Sequence, residues 1–133
     1  MSPSRNKRTL LIEDDTIFGE FLKRFLTQRG YQVTHVTDAN DVLPTLEQQS
    51  VDFVICDIGL PGFPGHRLYQ QLRLQLPDLC SRFLFITGNA ITPELDEFLR
   101  THRVPILQKP FHINQLFSLL TELAGAENTS PGP

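Results

Sequence analysis

The sequence predicts an α/β domain: a doubly wound, five-stranded parallel sheet in strand order 2-1-3-4-5, flanked by five helices. Three observations point there. Five short apolar runs alternate with five segments whose apolar residues recur at three- and four-residue intervals. Strands alternating with amphipathic helices call for a parallel sheet covered on both faces, and right-handed crossovers wind it in two directions. The 133 residues suffice for one sizeable core.

The strand-like runs are Thr9–Ile12, Gln32–Val36, Val51–Cys56, Arg82–Ile86 and Val104–Leu107. The first helix is marked by Ile17, Phe18, Phe21, Leu22, Phe25 and Leu26, and Gly30 stops it. Val42, Leu43 and Leu46 mark the second, with Asp38 as its expected cap; Pro44 falls early in it, harmless if in the first turn but kinking the helix if further in. Leu68, Tyr69, Leu72 and Leu76 mark the third, which Pro77 ends. Leu95, Phe98 and Leu99 mark a short fourth, capped by Thr92 with Pro93 at the first helical position. Ile113, Leu116, Phe117, Leu120 and Leu123 mark the fifth, which Gly125 is expected to end. Residues 1–8 then read as a flexible segment, 9–124 as the domain, and 125–133 as a disordered tail or the start of a linker.

The bulk composition excludes several function classes. A net charge of −3 gives no electrostatic reason to bind nucleic acid, and Arg5, Lys7 and Arg8 read as a solvated end. No DNA-binding helix pair follows the fifth helix. No run approaches the roughly 18 apolar residues that span a bilayer, and the first residues lack a signal-peptide core. Cys56 and Cys80 lack CxxC spacing, so reduced thiols and a cytoplasmic location are expected.

The functional signal lies where the runs end. The first ends at Glu13, Asp14 and Asp15, the third at Asp57 and the fourth at Thr87; the fifth is followed, after Gln108, by Lys109-Pro110. In a parallel sheet these groups share one carboxyl edge, and ligands bind where the winding reverses, between the first and third strands. Crowded carboxylates need a cation or a raised pKa, and hard oxygen donors favour Mg²⁺. By themselves Glu13, Asp14 and Asp15 read first as a solvated acidic loop feeding a helix N-terminus, and the other edge residues reverse that reading. Asp57 ends a buried central run, where an unpaired charge is expensive, and a carboxylate can attack a phosphoryl group. Thr87 offers a hydroxyl and Lys109 a point charge, and charge neutralisation is most of what phosphoryl transfer asks of a protein.

The set Glu13-Asp14, Asp57, Thr87 and Lys109-Pro110-Phe111, in this order, resembles the receiver domain of two-component response regulators (CheY-like, on the flavodoxin-like fold). The string DIGLPGFPG (57–65) is similar to that family's segment after the phosphorylated aspartate, and the resemblance covers roughly residues 8 to 124. It implies that Asp57 accepts a phosphoryl group from the phosphohistidine of a histidine kinase or histidine phosphotransfer protein, and later loses it to water. It implies Mg²⁺, or Mn²⁺ in its place, held by Asp14, Asp57 and the Gly59 backbone carbonyl, with Glu13 acting partly through water. Thr87 and Lys109 would contact the phosphoryl group, Lys109-Pro110 would be a cis peptide, Gly88 would leave room, and Asp15 would lie just outside. The exposed side of the first helix, with Arg24 and Gln28, would receive the partner. A monomer or a phosphorylation-dependent dimer is expected.

Two positions depart from the family pattern. Ile106 stands where many members carry an aromatic residue that swings inward, and VPILQKPF (104–111) looks more like receivers of hybrid kinases or single-domain receivers. His112 stands where a capping Asp, Ser or Thr is usual, so poorer capping is expected. His35, His66, His102 and His112 show no metal-ligand spacing and are expected at the surface. The alternative function is a scaffold of the same fold that is never phosphorylated. A phosphatase with a nucleophilic aspartate is disfavoured, because Gly59 stands where its second acid would be. Flavin binding is disfavoured by the three carboxylates of the first loop.

Overall fold

The computed structural model describes residues 7–62 and 64–128; Arg5 and the residues after 128 lie outside them. Five strands, β1 (Arg8–Ile12), β2 (Gln32–Val36), β3 (Phe53–Asp57), β4 (Phe83–Thr87) and β5 (Ile106–Gln108), form one parallel sheet in the order β2-β1-β3-β4-β5. Five α-helices connect and follow them: α1 (Thr16–Gln28), α2 (Val42–Gln48), α3 (Gly65–Gln75), α4 (Pro93–His102) and α5 (Ile113–Asn128). The expected doubly wound architecture is the observed one.

Alternation along each strand divides the core between two faces. Leu10, Ile12, Val54, Cys56, Phe83 and Phe85 pack with α2, α3 and α4, while Leu11, Phe53, Ile55, Leu84 and Ile86 pack with Leu22 and Leu26 of α1 and Leu116 and Leu120 of α5. Truncating a ring as enclosed as Phe53 to alanine costs about 3–5 kcal/mol. This two-sided burial holds the strand ends rigid beneath the polar edge.

Local chemistry sets the boundaries. Asp15 caps α1, its Oδ1 accepting from the Phe18 N–H at 3.0 Å. Gly30, at φ +92°, ends α1 with the N–H of Gly30 on the Thr27 carbonyl and that of Tyr31 on the Leu26 carbonyl. Asp38 caps a short 3-10 turn, Ala39–Asp41, rather than α2 itself. Thr92 caps α4 through the Leu95 N–H, with Pro93 in the first turn as expected.

Several boundaries differ from expectation. Three strands shift toward their carboxyl ends. Val51 and Asp52 form the turn into β3, Asp52 holding Arg8 at 3.2 Å, while Arg82 ends a 3-10 turn with its Nε on the Asp52 carbonyl. Pro105 has no N–H to give a ladder, so β5 starts at Ile106. Arg8 belongs to β1 and pairs with Gln32, so it is not part of a loose end. The fifth helix runs past Gly125 to Asn128; Gly125 keeps a negative φ and the flanking alanines are strong helix formers, so the roughly 1 kcal/mol cost of glycine does not end it.

Candidate functional site

β1 delivers the acidic loop. The Glu13 N–H prolongs the pairing with β2 by donating to the Val36 carbonyl at 3.0 Å. The Glu13 side chain is 1 % exposed, with Oε1 3.1 Å from Lys109 Nζ and Oε2 accepting the Asp15 N–H at 3.1 Å. Burial, with Asp57 beside it, pushes the Glu13 carboxyl up to about 7, although the Asp15 N–H and Lys109 pull the other way. Asp14, next along, is exposed.

β3 delivers Asp57, 8 % exposed, into the same space. Its Oδ1 accepts the Gly59 N–H at 2.8 Å and its Oδ2 lies 3.3 Å from Lys109 Nζ. One carboxylate oxygen from each of Glu13, Asp14 and Asp57 lies within 4.8 Å of the other two. Three carboxylates that close fit a hard divalent cation, which would offset the burial and, after it, the nearby Asp57 charge that together raise Glu13.

Lys109 follows β5 and opens the cis bond to Pro110, as expected. Burial lowers the affinity of its amine for a proton, but Glu13 and Asp57 outweigh that and hold Lys109 above its ordinary value. The ammonium also lies 4.3 Å from the centre of the Phe18 ring, which Phe111 meets edge-on at 6.2 Å. Phe18 marks α1 by its helical spacing, which could not reveal the lysine above its ring.

Thr87, buried at the end of β4, is occupied by its own loop. Its hydroxyl accepts the Asn89 N–H at 3.1 Å and donates to the Asn89 carbonyl at 3.3 Å. A Cβ at Gly88 would come within 3.8 Å of Lys109 Cδ, so the small residue leaves that side open. Glu13, Asp14, Asp57 and Lys109 therefore converge, Gly59 joins through its N–H, and the Thr87 hydroxyl stays with Asn89. Asp15 serves as the α1 cap.

The histidines need correcting. His112 is exposed as expected, and its own capping bond is long: its Nδ1 accepts from the Asn114 N–H at 3.4 Å, against 3.0 Å at Asp15 and 3.1 Å at Thr92, while Gln115 Oε1 accepts the His112 N–H at 2.8 Å. His66 and His102 are half-buried against Phe98. His35 is no surface residue; its side chain is 5 % exposed and meets the Glu13 carbonyl. Its place inside follows from Gly19, where the lack of a side chain leaves room for the ring. On the outer side of α1, Arg24 and Gln28 are exposed beside Ile17, 84 % exposed, and Phe21. Among the described residues no helix is long and apolar enough to cross a membrane.

The family model described as response regulator receiver domain matches residues 9–121. The response regulator protein FleR of Pseudomonas aeruginosa is 31 % identical over 129 residues, covering 93 % of this chain and 27 % of FleR. The response regulator receiver protein CpdR of Brucella abortus is 31 % identical over 120 residues, covering 88 % of this chain and 96 % of CpdR. The chain thus spans about a quarter of FleR but nearly all of CpdR. A CheY-like receiver domain protein from Methanospirillum hungatei superposes with a TM-score of 0.82 at 25 % identity, covering 95 % of this chain and all of that one. A response regulator protein from Burkholderia pseudomallei, solved with a phosphorylated aspartic acid, calcium ion and citrate, superposes at 0.77 and 25 % identity, covering 92 % of this chain and 72 % of that one.

Proposed function

This chain belongs to the response regulator receiver family, and from that premise we propose that Asp57 accepts a phosphoryl group from the phosphohistidine of a histidine kinase or histidine phosphotransfer protein. The observation that carries the reading is the convergence on Asp57: Lys109 Nζ 3.3 Å from one oxygen, and two further carboxylates close enough to share a cation. A phosphorylated aspartic acid in the Burkholderia neighbour supports the same chemistry on this fold.

Asp57, Asp14, Glu13 and the Gly59 carbonyl would hold Mg²⁺. Bound there, Mg²⁺ would neutralise the charge shared by the carboxylates and an incoming phosphoryl group. A carboxylate oxygen of Asp57 attacks phosphorus, the P–O bond forms as the P–N bond breaks, and the partner's imidazole leaves with the bonding pair. Lys109 offsets the negative charge on the transferring oxygens. Thr87 exchanges Asn89 for a phosphoryl oxygen, which carries the β4–α4 loop with it. Water later attacks phosphorus, returning the Asp57 carboxylate and inorganic phosphate. The product is an altered surface rather than turnover, and the exposed Ile17, Phe21, Arg24 and Gln28 of α1 offer the docking face. Residues 9–124 form the receiver, in the cytoplasm.

Intact-mass measurement with phosphoramidate and Mg²⁺ tests this. Wild type gains one phosphoryl group and Asp57→Asn gains none; equal labelling of the variant would refute Asp57 as acceptor. No labelling of wild type, and no amide shifts with Mg²⁺ and beryllofluoride, would leave the unphosphorylated scaffold.

A further inference from the structure

We propose that His35 is a positioning residue for the acidic loop: seated in the space left by Gly19, its Nε2–H holds the Glu13 carbonyl and sets where Glu13 and Asp14 present their carboxylates to a divalent cation. The inference rests on the phosphoacceptor reading above.

β2 is an edge strand, and its outer residues are expected to face water. His35 lies opposite Leu11 in the parallel register and points to the α1 side of the sheet, where Leu11 is also buried. The ring is buried there because α1 is open at one point. A Cβ on Gly19 would overlap the imidazole, and the obstacle would be ring atoms held on a short tether from the sheet. An alanine at 19 and a histidine seated at 35 therefore exclude each other.

Once seated, the ring is held at both nitrogens. Nε2 lies 2.9 Å from the Glu13 carbonyl, which can only accept, so Nε2 carries a hydrogen. Nδ1 lies 3.1 Å from a Glu20 carboxylate oxygen on the outer side of α1. The paired register of β1 and β2 ends at Ile12 and Val36, after which only the Glu13 N–H continues it. His35 takes the next carbonyl, where backbone pairing stops. The chain turns immediately afterwards, so the contact fixes the peptide joining the buried Glu13 to the exposed Asp14. Hydrogen bonds behind metal ligands are worth about 10–100-fold in metal affinity.

The test is a Mg²⁺ titration of the full chain followed by amide NMR, with thermal midpoints measured alongside. His35→Ala should weaken Mg²⁺ binding by about tenfold. Gly19→Ala should do the same while leaving the histidine in the sequence, and adding Gly19→Ala to His35→Ala should weaken binding no further. His35→Gln, whose amide can donate to the same carbonyl, should stay close to wild type. A merely structural ring would lower the thermal midpoint and leave Mg²⁺ affinity intact. A folded His35→Ala that binds Mg²⁺ as wild type does overturns the proposal, as does His35→Gln failing as badly as His35→Ala. Wild type that binds no Mg²⁺ overturns the phosphoacceptor reading with it, so the two failures are told apart.

Discussion

At the ends of β1 and β3 the charged groups lean on one another, whereas at the end of β4 the polar group leans on its own loop. Glu13 and Asp57 share a single ammonium, and burial drives Glu13 toward its protonated form. Thr87, equally buried, is satisfied by Asn89 two residues away. The first arrangement stores an electrostatic cost that a cation can relieve. The second stores almost nothing and is cheap to rearrange. Under the proposed function, reception and relay would use different construction in neighbouring parts of one sheet edge.

Removing the shared charge should have the largest effect. Lys109→Met leaves two crowded carboxylates without their counter-charge, and the rate of phosphorylation by phosphoramidate should fall about 100-fold or more. A rate near wild type would show that the acidic half does not depend on its lysine, and the contrast would collapse.

The next effect is on stability. The raised Glu13 means that the folded protein keeps a proton which the unfolded chain loses at its ordinary carboxylate value. Stability therefore falls as pH rises from the ordinary carboxylate value of 4.5 to about 7 and stays lower above that. In urea titrations without divalent ions, Glu13→Gln should lack this decline and be more stable than wild type at pH 8, by on the order of 1 kcal/mol. A variant less stable than wild type at that pH would mean that the Lys109 pairing outweighs the crowding.

The smallest effect belongs to the other half. Thr87→Ala should change unfolding free energy by less than about 1 kcal/mol, because an exposed loop N–H can turn to water. Yet it should abolish the shift of the Asn89 amide on adding Mg²⁺ and beryllofluoride. A large stability loss would mean that the Thr87 hydroxyl is a structural tie.

Most of the fold was legible because strand and helix periods alternate without interruption, and the site was legible because its residues end strands. The misread boundaries share a cause: a ladder begins where backbone pairing begins, not where the apolar run does, as Val51 and Val104 illustrate. The site residues that escaped notice depend on distant partners. Nothing beside His35 announces that Gly19 leaves space for it, and nothing in α1 shows that Phe18 lies under Lys109.

Cys56 carries a last consequence. Its thiol is fully enclosed, points its hydrogen at the Asp57 carbonyl at 3.3 Å, and is held well above its usual range, first by burial and then by the charges of Asp57 and Glu13. An aspartyl phosphate is a mixed anhydride, and a thiolate is the nucleophile best suited to open it at the acyl carbon. With the sulfur kept protonated and packed on the far side of the strand, no thioester would form, and an anhydride at Asp57 would decay through solvent rather than through its neighbour.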